Sequence, residues 1–88
     1  MNRLSNIADG ILEHYACIDE FVELNSIRAI LQISDYAEGA GESINLDQAT
    51  RIRDAMIAWL EIVEAGKATQ NAHYYTIIEP LEEDEIEC

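Results

Sequence analysis

Residues 45–66 read NLDQATRIRDAMIAWLEIVEAG, and this stretch decides the fold class. Asn45 suits the cap of a helix. Gln48, three residues on, can reach back to the Asn45 N–H in the reciprocal arrangement of a capping box. Ala49, Ile52, Met56, Trp59, Leu60 and Val63 follow at the three- and four-residue spacing of a single helix face. Asp47, Asp54 and Glu61 recur on the far side, roughly 10.5 Å apart along the axis. Gly66 supplies the stop, with Lys67 beside the negative end of the helix. The stretch predicts a helix from Asn45 to about Ala65.

Upstream, Gly39-Ala40-Gly41 ends an earlier helix, which Ser26 is expected to cap and which runs to about Glu38. Its polar strip is narrow, made of Arg28, Gln32 and Asp35. Apolar side chains, among them Ile27, Ile30, Leu31 and Ile33, cover most of the circumference. Such a helix must be buried on more than one side, either between its neighbours or against a second copy of the chain. Further upstream, residues 2–24 read as a helix. Leu4, Ile7, Ala8, Ile11, Tyr15, Ile18 and Val22 fall in an arc of roughly 100°. Asp9, Glu13, Glu20 and Glu23 lie opposite. Gly10 is an interior penalty of about 1 kcal/mol relative to Ala. With no Pro or Gly between residues 11 and 38, a single rod joining these two helices is the alternative.

Downstream of Lys67 the pattern weakens. Ala68 to His73 fits a short helical turn. Tyr74 to Ile78 has the β-branched and aromatic content of a strand, with no second strand to pair with. Pro80 onward reads as a solvated tail. The predicted fold is therefore all-α: a small bundle of three main helices with an extended or frayed acidic C-terminal segment. Residues 1–78 form the helical domain and residues 79–88 the acidic tail.

Charge dominates the composition. Eighteen Asp and Glu oppose five Lys and Arg over 88 residues, for a net charge of −13. Six of the acids lie in residues 79–88, which leaves twelve against five in residues 1–78, a balance of −7. Phosphates and anionic membranes are repelled by such a field, so direct binding to nucleic acid or membrane is not expected. Basic proteins are attracted. Two cysteines, Cys17 and Cys88, make no disulfide framework, no basic-then-apolar leader opens the chain, and no apolar run approaches the ~20 residues of a membrane span. The expected setting is the cytoplasm, with reduced thiols.

Chemistry finds little support. His14 and His73 are far apart, with no paired Cys or His at metal-ligand spacing. Asp35 to Leu46 lacks oxygen ligands at Ala37, Gly39 and Leu46, where a calcium loop needs them. Cys17 could meet His14 one helical turn away, which fits a half-buried thiol beside a surface imidazole better than a reactive pair. Gly39-Ala40-Gly41 lacks the Lys and Ser/Thr of a phosphate loop. No catalytic group, cofactor or metal is predicted. His73-Tyr74-Tyr75 is read as closing off the core, with stacking on a ligand as the alternative. Ile77 to Leu81 with the acids around it could also add a strand to a partner.

The surface remains. Asp9, Glu13, Glu20, Glu23, Asp47, Asp54 and Glu61 are the candidate partner-binding face. Arg51, between Asp47 and Asp54, is positioned for ion pairing along it. The size and acidity resemble those of small phage-encoded inhibitors of bacterial defence, including anti-CRISPR proteins; the resemblance covers no motif. It implies a module that blocks the basic, nucleic-acid-binding surface of another protein by charge mimicry. The alternative is a homodimeric, antitoxin-like or chaperone-like adaptor, with Ile27, Ile30, Leu31 and Ile33 at the subunit interface.

Overall fold

The helix at the centre of the sequence is also the centre of the molecule. The computed structural model describes residues 3–14, 24 and 26–86. In order they form α1 (Arg3–His14), α2 (Ile27–Gly39), α3 (Leu46–Glu64), α4 (Gln70–His73), a π-helical turn (Tyr74–Ile78) and α5 (Glu79–Ile86). No strand occurs among the described residues. The fold is all-α, and α3 packs against α1, α2 and the C-terminal helical run.

Local chemistry sets the helix ends. The Gln48 N–H donates to Asn45 Oδ1 at 2.8 Å, and the Asn45 N–H donates to Gln48 Oε1 at 3.0 Å, completing the capping box. Ser26 occupies the N-cap of α2 with extended backbone, but its side chain makes no cap hydrogen bond. Both α2 and α3 end in Schellman motifs. Gly41, at φ +85°, donates to the Glu38 carbonyl while the Glu42 N–H reaches Ala37. Gly66, at φ +72°, donates to Val63 while Lys67 reaches Ile62. The positive φ is what makes glycine fit these two positions.

The core follows the expected stripes in part. Leu4, Ile7, Ala8 and Ile11 of α1 are buried, as are Ala49, Ile52 and Met56 of α3. Trp59 and Leu60 pack against the core from its edge, and Val63 is exposed. On α2, Ala29, Ile33 and Ala37 form the inward row. Burial of α2 between its own neighbours on more than one side is not what the chain shows: Ile27 is 71% and Leu31 51% exposed. Two alanines in the inward row bring α2 close to its neighbours, and the outer isoleucine and leucine stay in solvent. Tyr15, Ile18, Val22 and the question of one continuous rod lie outside the described residues.

The largest correction concerns the C-terminal run. Tyr74 to Ile78 is helical rather than strand-like, and the chain continues through Pro80 into α5. A strand-adding motif at Ile77 to Leu81 is excluded with it, because the backbone there is wound into helix. Pro80 explains the local geometry. Inside a regular α-helix its ring would strike the carbonyl four residues back, and it has no N–H to donate. The π turn, closed by the Glu79 N–H on the Tyr74 carbonyl, leaves Pro80 in the first turn of α5, where a donor is dispensable.

The wider winding has a second effect. Residues four apart on an α-helix drift by about 40° around the axis. A π turn reduces that drift, so His73, Ile77 and Leu81 stay on one inward line. Ile77 and Leu81 are 0% and 1% exposed. Leu81 thus belongs to the core rather than to a solvated tail. Thr69 caps the run by accepting from the Ala72 N–H at 3.0 Å. No helix among the described residues is long and apolar enough to cross a membrane.

Candidate functional site: an acidic exterior

Each carboxylate singled out in the sequence has a definite place, except Glu20 and Glu23, which lie outside the described residues. Glu13, Asp47 and Glu61 are exposed and make no ion pair among the described residues. Asp54 is exposed but held by its neighbour: Arg53 donates to Asp54 Oδ1 through Nε at 3.1 Å and Nη2 at 2.8 Å. Its charge is partly spent inside the molecule.

Asp9 does not belong to the outer face. His73 Nε2 lies 2.8 Å from Asp9 Oδ1, with the two side chains only 28% and 23% exposed. The carboxylate can only accept, so the imidazole N–H donates. Trp59 meets the same imidazole edge to face, with centroids 4.8 Å apart at 85°. This cluster ties α1, α3 and α4 together. On a helical wheel Asp9 sits opposite the apolar stripe of α1, but the His73 side chain, at the end of α4, reaches that side.

The aromatics after α3 divide differently from the sequence expectation. His73 turns inward, whereas Tyr74 and Tyr75 do not close off the core: they are 44% and 62% exposed. Their rings meet edge to face at 5.3 Å. Nothing in residue spacing separates these neighbours; only the direction of the π turn does.

Of the apolar candidates, Ile33 is fully buried in the chain's own core and cannot serve an interface. Ile30 packs against the core edge. Ile27 and Leu31, one helical turn apart, remain available. An open cleft of about 280 Å³ separates α3 from the C-terminal run, with Arg51 and Asp54 on its rim and Ala55, Ala58, Thr76, Pro80 and Leu81 in its walls. Among the described residues that line it, Thr76 alone carries a hydroxyl. No group of three or more His, Cys, Asp or Glu among the described residues is placed to hold a metal ion. Cys17, paired in sequence with His14, lies outside the described residues.

Compared with known proteins, the chain matches no family model, no curated protein and no solved structure.

Proposed function

We propose that this chain is a small cytoplasmic protein-binding module that occupies the basic, nucleic-acid-binding surface of another protein, acting as an inhibitor by charge mimicry. The observation that carries the reading is the separation of charge from packing. Apolar side chains fill the interior of a chain of net charge −13, and Glu13, Asp47 and Glu61 are exposed and without ion pairs among the described residues. Spaced at ~10.5 Å, the α3 row is sparser than duplex DNA, which carries a charge every ~1.7 Å of axis. Six further acids lie along the chain in residues 79–88. An anti-defence inhibitor of the phage type is one protein of this design.

Capture of partners from lysate at low and high salt tests the reading. Retained proteins should be basic, should release as salt rises, and should lose binding when Glu13, Asp47 and Glu61 are reversed to Lys. Capture that ignores salt and survives the reversals would overturn it. A second reading, a homodimeric adaptor, has the exposed Ile27 and Leu31 in its favour. Sedimentation showing a monomer across the accessible concentration range would remove it.

A further inference from the structure

Two large aromatic rings side by side in solvent call for an explanation that the core does not provide. Ile77 and Leu81 already fill the interior along this run. Tyr74 and Tyr75 lie outside it, with their rings perpendicular at 86° and their centroids 5.3 Å apart. Glu79 follows Tyr75 by four residues, about one helical turn, and Glu82 follows Tyr74 by eight. Glu79 is exposed and Glu82 half-buried. The surface therefore combines aromatic faces set at a right angle with carboxylates one and two turns away.

Few chemical groups satisfy both parts. A guanidinium stacks on an aromatic face and also binds a carboxylate through two parallel N–H donors. An ammonium is a strongly hydrated point charge and gains less from the rings. Nucleobases could stack, but their phosphates are repelled by a chain of net charge −13, as are anionic lipids. We infer that Tyr74 and Tyr75, with Glu79 and Glu82, form a docking surface for arginine side chains of a basic partner protein. This rests on the basic-partner reading above and adds to it a preference that charge alone does not create.

The full chain is titrated calorimetrically with oligo-arginine and oligo-lysine peptides of equal length at fixed ionic strength. The arginine peptide should bind about tenfold more tightly. Replacing both rings (Tyr74→Leu with Tyr75→Leu) should abolish that preference while leaving lysine-peptide affinity unchanged. Tyr74→Phe with Tyr75→Phe, which keeps the ring faces, should retain it; because both positions are exposed, circular dichroism should show all three proteins folded alike. Equal binding of the two peptides by the native chain overturns this inference but leaves the basic-partner reading standing. An arginine preference that persists in the leucine variant overturns it as well. Failure to bind either peptide at low salt removes both.

Discussion

A methyl group placed on Gly10 would lie 2.5 Å from the hydroxyl oxygen of Tyr36, across the contact between α1 and α2. The glycine that looks like a flaw in the first helix leaves the room that the Tyr36 ring of the second helix occupies.

Gly10→Ala should therefore destabilise the protein. The helix gains about 1 kcal/mol in propensity, but overpacking against Tyr36 costs about 1–3 kcal/mol. In a Tyr36→Ala background the same substitution should become stabilising. Chemical denaturation of the four proteins in this cycle measures the change of sign. Gly10→Ala that stabilises in both backgrounds would mean that the ring does not constrain α1.

The Asp9–His73 pair should contribute about 0.5–1.5 kcal/mol, the range for a hydrogen bond between half-buried groups. Asp9→Ala and His73→Ala should each lose stability, and the double variant should lose less than their sum. Strict additivity in denaturant melts would show that the two side chains do not interact.

Leu81 lies beyond the point where the sequence appears to turn into tail. Leu81→Ala, and likewise Ile77→Ala, should cost about 2–4 kcal/mol, as expected for removing a fully buried aliphatic side chain. An exposed position would lose only a few tenths of that. A thermal melt of Leu81→Ala matching that of the native chain would return residues beyond Pro80 to the solvent.

Gly39 and Gly41, two residues apart, should respond oppositely to alanine. Gly39 has open space around it and ordinary helical backbone, so Gly39→Ala should add about 0.5–1 kcal/mol. Gly41 sits at φ +85°, so Gly41→Ala should lose about 1 kcal/mol or more. Equal effects at the two sites would contradict the Schellman closure of α2.

Much of this architecture is written locally. Asn45, Gln48, Gly41 and Gly66 specify where helices start and stop because their side chains, or lack of one, act on backbone groups within a few residues. Apolar stripes on α1 and α3 are legible for a similar reason, since a face repeated every three or four residues must be buried somewhere. Pro80 misled in the other direction. A proline ends most helices, and only the preceding π turn shows how this one continues.

What spacing along the chain determined was an all-helical protein with an apolar inside and a strongly negative outside. Which outward groups actually face water was decided by tertiary packing. Asp9 is drawn in because His73 reaches it from the C-terminal run, and Asp54 is held by Arg53. Tyr74 and Tyr75 stay out because the π turn aligns His73, Ile77 and Leu81 toward the core. A helical wheel knows the two sides of a single helix; it cannot know which neighbour will come to lie against each.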